Sequence, residues 1–331
     1  MAGYRSEVIM KTKITLVVFI AILFQYNVAA ADSSPKAGQL KRTPWGHPDI
    51  QGFFTYRTIT PLERPQELGD KAVLTAKEAA EWTAKENLRQ NRDLIDDKKG
   101  GAGYAPGVIS YNEFWYERGD DVIESRRTSL IYDPPNGRLP PSASVARERR
   151  SERMAMMRGK IGVEARPLAE RCLMSFGSTV PMLPRSYNNN IQIVQTKDHV
   201  MILNEMIHLA RIIPFTDAYS GMPKWEGDSI ARWENDELII ETTNFYYDSN
   251  FRGYTPEMKL VEHIRRIDDK TLSYDFTVND PNAWTQPWSA KFPLQQIDEP
   301  VFEYACHEGN IGLESVLQGL LREDEEKNWW L

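Results

Sequence analysis

The sequence lacks the motifs that mark most nucleophile-, nucleotide- and metal-dependent enzymes. It has no Gly-x-Ser-x-Gly elbow and no glycine-rich phosphate loop. Its five histidines show neither His-x-His nor His-x-x-x-His spacing, which would favour a zinc site. His208, His263 and His307 fall on three predicted strands and could converge, but without such spacing we predict no metal. Together these absences indicate chemistry that needs no cofactor.

An excess of positive charge is also missing. The formal net charge is −7, whereas surfaces that bind nucleic acid are normally basic. The one basic run, at residues 147–158, is interleaved with glutamates and is typical of a solvated helix face whose charges pair with one another. We therefore expect no nucleic-acid partner.

The apolar run near the N-terminus is too short to cross a bilayer, which takes about 20 residues. Residues 14–24 follow Lys11 and Lys13 and precede the small residues 28–31, the pattern of a signal peptide. We predict that residues 1–31 are removed and that residues 32–331 form one domain. The mature protein would be periplasmic or secreted, without stable membrane insertion. A retained N-terminal anchor is the alternative, and the oligomeric state stays open.

Cysteine is scarce, since only Cys172 and Cys306 occur. In an oxidising compartment they could form one disulfide that closes a long loop. Two buried thiols are a second possibility. A nucleophilic Cys306 activated by His307 is a third, although neighbours on a strand point to opposite faces and seldom form such a pair.

Alternating apolar and polar residues dominate the second half of the chain. Short turns such as Asn235-Asp236 and Asp268-Asp269-Lys270 separate the segments, which is typical of antiparallel hairpins. There is no βαβ alternation and no fixed-period repeat, so a closed barrel is favoured over a propeller. We predict a mainly β fold, an antiparallel lipocalin-like (calycin-type) barrel of about 8–10 strands. The strands expected here are 191–195, 200–205, 208–215, 230–234, 237–243, 259–267, 271–279, 288–295 and 301–305.

The first half of the chain is predicted to add helices to this barrel. Thr75 and Glu78 form a capping box in front of a helix over residues 76–94. A second helical excursion is expected over residues 142–170. The strands predicted here are 53–59, 114–119 and 122–132, and the charged tail, 322–327, is expected to fray.

Two clusters of ionisable residues stand in apolar sequence, where an unpaired charge costs several kcal/mol. In the first, a tight turn near residues 206–207 would let Glu205 tune His208 as an acid–base pair, with Arg211 binding an anionic or carbonyl group. The alternative is a structural ion pair between Glu205 and Arg211 beside a satisfied histidine.

The second cluster follows the predicted strand at residues 301–305. His307 and Glu308 are candidate acid–base groups, Asn310 a candidate oxyanion donor and Tyr304 part of a lined pocket. The alternative is a strand-end turn in which Glu308 and Asn310 cap backbone amides. We expect His208, Glu205 and Arg211 to face this cluster across one cavity. Arg127 and Glu262 are charged residues in strand-like sequence. We expect both to lie near this cavity and to bind substrate.

Short motifs are spread along nearly all of the mature length of the chain. They are Thr43-Pro44-Trp45-Gly46, residues 48–52, residues 60–65, residues 127–131, Asp133-Pro134-Pro135, residues 187–190, residues 192–196, Glu205-Met206-Ile207-His208, residues 241–245 and residues 304–310. In these segments the chain resembles a large, little-characterised family of secreted bacterial proteins. One departure is His263, because the family usually has arginine after the residue that matches Glu262. Asp49-Ile50-Gln51-Gly52 before an aromatic strand is also similar to the entry of lipocalin barrels, with Phe54 at the place of their tryptophan.

A barrel of this size encloses room for a small ligand, and nine tryptophans, 14 tyrosines and 12 phenylalanines could line it, although most must be core. We therefore expect a partner that is a small apolar or amphipathic molecule. The first hypothesis is cofactor-independent acid–base catalysis of the lyase, hydratase or isomerase type. The rival is a carrier that leaves its ligand unchanged, and a third is a structural envelope protein without any ligand.

Overall fold

A computed structural model of the chain describes residues 40–101, 106–107, 111–159, 162–174, 179–246 and 253–328. The predicted signal peptide, residues 1–31, lies outside this part, so its removal and the protein's location stay predictions. Within the described residues, no helix is long and apolar enough to cross a membrane.

Antiparallel strands form one ten-stranded sheet that nearly closes into a barrel, which confirms the predicted fold class. The spatial order is β5-β4-β3-β1-β10-β9-β8-β7-β6, and β2 pairs with β10 beside this path. The strands are β1 (Gly52–Thr55), β2 (Ile131–Asp133), β3 (Asn190–Gln195), β4 (His199–Asn204), β5 (Leu209–Pro214), β6 (Asp228–Glu234), β7 (Glu237–Thr243), β8 (Lys259–Arg266), β9 (Thr271–Asn279) and β10 (Trp288–Ile297).

Alternation along the strands fills the inside of the barrel. In β9, Leu272, Tyr274, Phe276 and Val278 are buried and belong to one hydrophobic cluster that includes all the neighbouring strands. Phe276 meets Trp288 edge to face with ring centroids 5.5 Å apart. Burial of each large side chain contributes roughly 1.5–3 kcal/mol, so the aromatic residues of this region stabilise the core.

In the part of the chain that the structure describes, three α-helices lie outside the sheet: α1 (Ala76–Gln90), α2 (Ser144–Gly159) and α3 (Ile311–Asn328). The capping box at Thr75 and Glu78 is confirmed. α1 ends before the predicted residue 94 because Asn91 is extended and caps a separate 3₁₀ turn, Arg92–Leu94. α2 covers only part of the predicted 142–170, in a segment where Gly159, Gly162 and Pro167 disfavour a longer helix.

Several predicted strands are wrong. Residues 114–119 overlap the 3₁₀ turn Glu113–Trp115 and contain no strand. In residues 122–132 a single bridge joins Arg127 to Val73, and a strand begins only at Ile131. Residues 301–305 are not a strand, because both edges of β10 are already taken by β1 and β9. The backbone of the charged tail continues α3 to Asn328, contrary to the predicted fraying.

Candidate functional site

The site is built at the end of the barrel where β1 and β4 end and β3 and β5 begin, which we call the upper end. The tight turn predicted between β4 and β5 is confirmed: Met206–His208 is a 3₁₀ turn, with Ile207 at φ 64° and His208 at φ 53°. This turn reverses the chain, so that Asn204 pairs with Leu209. His208 is left exposed, while Glu205 is buried.

Glu205 is a buried carboxyl group at the upper end. Its Oε2 accepts a hydrogen bond from the Asn190 backbone at 3.3 Å, and its Oε1 accepts one from the Phe302 backbone at 3.4 Å. Burial, followed by the charge of Glu117, raises the pKa of Glu205, and these backbone bonds offset only part of the effect. Glu205 therefore keeps its proton to a higher pH than an exposed glutamate does.

Glu117 is a second carboxylate at the upper end, and its charge acts on Glu205. It forms an ion pair with Arg57 at 3.0 Å, and its Oε1 also accepts from the Asn190 side-chain amide at 3.4 Å. Asn190 thus bridges the two carboxyl groups, through its backbone to Glu205 and its side chain to Glu117. Within the described residues, its buried Oδ1 has no hydrogen-bond partner.

An aromatic pocket of about 610 Å³ opens beside Glu117. Phe114 and Trp115 meet edge to face at 5.3 Å and are 85% and 64% exposed, which is unusual for such large apolar side chains. The pocket is thus a mainly aromatic surface with one carboxylate and one amide in its wall. Its lining residues are Tyr111, Phe114, Trp115, Tyr116, Glu117, Tyr187 and Asn188.

Backbone and side-chain hydrogen bonds fix the two segments that form this pocket. The Glu117 backbone donates to the Ser186 carbonyl at 2.7 Å. The fully buried Asn189 amide donates to the carbonyls of Glu117 and Arg185, each at 2.9 Å. Asn188, whose side chain hydrogen-bonds to Glu205, is held at φ 53° next to this junction. The pocket wall is therefore connected directly to the buried carboxyl group.

A separate ionic centre lies inside the barrel. Arg211 binds Glu262 through two hydrogen bonds of 2.7 and 3.1 Å, and its second terminal nitrogen also donates to Ser229 and Thr242 at 3.2 Å. Tyr274 donates to Glu262 at 2.7 Å. Burial and then the Glu262 charge hold the pKa of Tyr274 well above its usual value. With Arg211 3% and Glu262 0% exposed, the pair is a structural element of the core.

Glu226 adjoins this centre and was not recognised from the sequence, where it stands beside a predicted turn. It accepts a hydrogen bond from Thr179 at 3.0 Å. Burial raises the pKa of Glu226 to about 7, against the opposing effects of Arg211 and Thr179. Its charged neighbours, Arg211 and Glu262, are buried core residues, so Glu226 titrates next to the ionic centre of the barrel.

The structure separates the residues that were expected to share one cavity. Arg211 and Glu262 are inside the barrel, and Arg211 does not pair with Glu205, so that alternative is wrong as well. His307 and Glu308 are exposed in a turn, as His208 is in its own turn. The prediction of a single site formed by all of them is therefore wrong, and only Glu205 and its surroundings remain.

The other predicted site residues have identifiable contacts. Tyr304 is half-buried, and its pKa is raised by burial in an environment that it shares with Arg185 and Tyr111, at the edge of the aromatic pocket. Arg127 lies over the ring of Tyr132 at 5.3 Å, away from the pocket lining. Asn310 caps α3 by accepting from the Leu313 backbone, which confirms the turn alternative for this residue.

Cys172 and Cys306 form a disulfide, so of the three alternatives for the cysteines this one is confirmed. A disulfide-bonded sulfur is not a thiolate, and Cys306 is therefore not a nucleophile in this state. Elsewhere, His263 bonds to Glu237 at 3.1 Å. Among the residues that the structure describes, no group of three or more His, Cys, Asp or Glu side chains could hold a metal ion.

Sequence reasoning missed Glu117 and the aromatic pocket that it lines. The available signal was the run Phe114-Trp115-Tyr116-Glu117, a carboxylate directly after three aromatic residues, which was assigned to a strand. No family model matches the chain, and neither does any curated protein or solved structure. Function must therefore be inferred from the chemistry of the site itself.

Proposed function

We propose that this protein binds a small, largely apolar molecule in the aromatic pocket and acts on it by cofactor-independent acid–base chemistry of the lyase, hydratase or isomerase type. One observation carries the proposal. The polar wall of an aromatic pocket contains Glu117, a carboxylate coupled to the buried Glu205, whose pKa is raised by burial and by Glu117.

The lining of the pocket determines the class of ligand. Aromatic rings offer large apolar faces at little cost in side-chain entropy, and they bind planar or apolar molecules well. Apart from the tyrosine hydroxyls and the Trp115 indole N–H, the polar groups of the lining are the side chains of Glu117 and Asn188. A ligand with an apolar body and one polar or acidic C–H or O–H group directed at Glu117 matches this surface.

The two carboxyl groups differ in the way that acid–base catalysis requires. Glu117, paired with Arg57, lines the pocket and is the catalytic base in this proposal. Glu205 is buried behind Asn188 and Asn190 and does not reach the ligand, so it is a positioning residue. Because its pKa is raised by burial and by the charge of Glu117, Glu205 gives up its proton less readily than an exposed glutamate would beside Glu117.

We also propose that the protein belongs to the family of secreted bacterial proteins that its motifs resemble, and that it is periplasmic or secreted. The Cys172–Cys306 disulfide supports this location, because disulfides persist in oxidising compartments. The predicted signal peptide supports it independently.

A carrier is the second candidate. It is favoured by the open mouth of the aromatic pocket, where Phe114 is 85% exposed. Catalytic sites usually exclude water from the reacting groups, whereas a carrier needs only reversible contact. In that case Glu117 and Asn188 would orient the ligand without changing it.

The test is to incubate the purified protein with a small-molecule extract of its host and to follow bound and consumed compounds by mass spectrometry. The catalytic proposal expects one compound to be consumed, and Glu117→Gln to lower its turnover by about 10²–10⁴-fold while the compound still binds. Trp115→Ala should weaken binding itself. Glu241→Gln is the matched control, because Glu241 is also a half-exposed carboxylate paired with an arginine, Arg232, on another surface.

A compound that binds and is recovered unchanged would favour the carrier over the enzyme. If Glu241→Gln reduced turnover as much as Glu117→Gln, the assignment of Glu117 would be wrong. Absence of both binding and consumption would contradict both candidates.

A further inference from the structure

A second pocket, of about 430 Å³, takes its walls from the next residues along the same two segments that form the aromatic pocket. Arg118 follows Glu117, and Arg185 and Ser186 precede Tyr187. Arg89 of α1 lies in the lining as well. We call this the arginine pocket. Its volume falls within the range of small-molecule sites.

The charges around the arginine pocket leave it with an excess of cations. Its lining contains three arginines but only two carboxylates, Glu67 and Glu86. Glu86 is already bound by Arg89 through bonds of 2.8 to 3.0 Å. Glu67 pairs with Lys85 and Arg118 with Glu113, and both of these partners are outside the lining. The lining itself thus carries one more cation than anion, whereas the whole chain has a net charge of −7.

Arg118 and Arg185 are held in position by their surroundings. Arg118 donates to the Gln90 carbonyl at 2.9 Å, pairs with Glu113 and stacks over Tyr116 at 4.7 Å. Arg185 donates through Nε to the Leu183 carbonyl at 3.4 Å. A guanidinium fixed in this way loses little side-chain entropy on binding, and its planar fork matches the geometry of a carboxylate.

The other walls are apolar. Trp82 of α1, Leu183, Ile59 and Leu62 line the same space. An inorganic anion would leave these side chains without contact, whereas an organic acid can bury its hydrocarbon part against them. We propose that the arginine pocket binds a small organic carboxylate with an apolar body. The acid group contacts Arg118 and Arg185, and the body packs on Trp82 and Leu183.

The proposal can be tested by isothermal titration calorimetry of the full chain with phenylacetate, inorganic phosphate and benzyl alcohol as probes. Phenylacetate should bind with a Kd of about 1 mM or tighter, and the other two probes at least about tenfold more weakly, because each offers only half of the interaction. Arg185→Gln and Arg118→Lys should each weaken phenylacetate binding by about tenfold or more. Arg118→Lys keeps the charge near Glu113 and so protects the fold.

Two control variants separate this site from other surfaces. Arg232→Gln removes an exposed arginine of β6 that is also paired with a glutamate, and it should leave phenylacetate affinity unchanged. Trp115→Ala alters the aromatic pocket and should also leave this affinity unchanged. The proposal for the arginine pocket can thus be confirmed or contradicted independently of the function proposed for the aromatic pocket.

Any of the following results would overturn the proposal. The first is phenylacetate binding that persists in both Arg185→Gln and Arg118→Lys, or no binding at all. The second is phosphate binding as strong as that of phenylacetate, which would mark a site for inorganic anions. The third is loss of phenylacetate binding in Trp115→Ala, which would place the acid in the aromatic pocket.

Discussion

Glu226 shows how one side chain can link stability to pH in this barrel. It bonds to Thr179 at 3.0 Å and lies near Arg211 and Glu262. Burial raises its pKa from 4.5 to about 7, because the ionised form loses water and the Arg211 charge is largely committed to Glu262. The folded state therefore holds the Glu226 proton through a pH range in which the unfolded chain has lost it.

This shift predicts a pH-dependent loss of stability. Between pH 4.5 and about 7 the folded state binds more protons than the unfolded state, so the contribution of Glu226 to the free energy of unfolding falls as pH rises. The full penalty applies only well above pH 7 and is about 3.4 kcal/mol. The free energy of unfolding that Glu226→Gln gains over the wild type should therefore be larger at pH 8 than at pH 5. Urea unfolding at the two pH values measures the difference.

Glu241→Gln is the control for this prediction, since its ion pair with Arg232 is at the surface. A stability difference between Glu226→Gln and wild type that is the same at pH 5 and pH 8 would show that Glu226 does not titrate as described.

For single residues, the sequence shows which charged side chains need a partner, but it does not show which residue that partner is. Arg211 and Glu262 stand in apolar strands, where a charge needs a partner, and they pair with each other in the core, although both were expected to bind substrate. Their pairing follows from closure of the barrel, which brings β5 opposite β8 although the two strands are far apart in the sheet order. Glu205 was the nearer acidic group in the sequence, but the turn at residues 206–208 directs it toward Asn190 instead.

At the scale of elements, the segment after β10 is held by contacts that a strand pattern does not reveal. Residues 301–305 have the aromatic and β-branched composition of a strand, yet no sheet edge is open beside β10. The segment is attached through Phe302 to Glu205, through the Cys172–Cys306 disulfide and through Asn310 to the Glu170 carbonyl. These contacts hold α3 near the upper end of the barrel.

The disulfide is expected to be the main attachment, because it also closes a loop of 134 residues that contains β3 to β10. Replacing both cysteines by serine should lower the free energy of unfolding by about 2–5 kcal/mol. Protease cleavage should then concentrate at residues 298–310, before the barrel is cut. Limited proteolysis followed by mass spectrometry, with the oxidised wild type as reference, measures both the site and the rate. An unchanged cleavage pattern would mean that Glu205 and Asn310 suffice to hold the segment.

At the scale of the whole molecule, the barrel has one weak line of contact. β9 pairs with β8 and β10 along nearly its full length, from Leu272 to Val278. Between β5 and β6, by contrast, the backbone contact described is a single parallel bridge, Phe215 to Ala231. We call this contact between β5 and β6 the seam. The hairpin pattern of the sequence predicts the ladders between strands that short turns connect, whereas β5 and β6 are connected by a long segment, so no local sequence pattern predicts the seam.

Arg211 compensates for the missing ladder. From β5 it crosses the seam and bonds to Ser229 of β6, Thr242 of β7 and Glu262 of β8. A lysine has the same charge but a single ammonium group on its stem, so it cannot make these bonds together. Arg211→Lys should therefore open the seam while the ladders of β8, β9 and β10 remain.

Native-state hydrogen exchange can distinguish this local opening from general destabilisation. In Arg211→Lys, amides of β5 and β6 should exchange about tenfold faster or more, the effect of losing about 1.4 kcal/mol of local stability, whereas those of β9 should change little. Arg265→Met, which removes an exposed arginine from the outer face of β8, should leave both sets unchanged. If every strand instead exchanged faster by the same factor, Arg211 would stabilise the core as a whole and not the seam. Selective exchange in β5 and β6 would show that a barrel with an incomplete ladder is closed by one buried side chain.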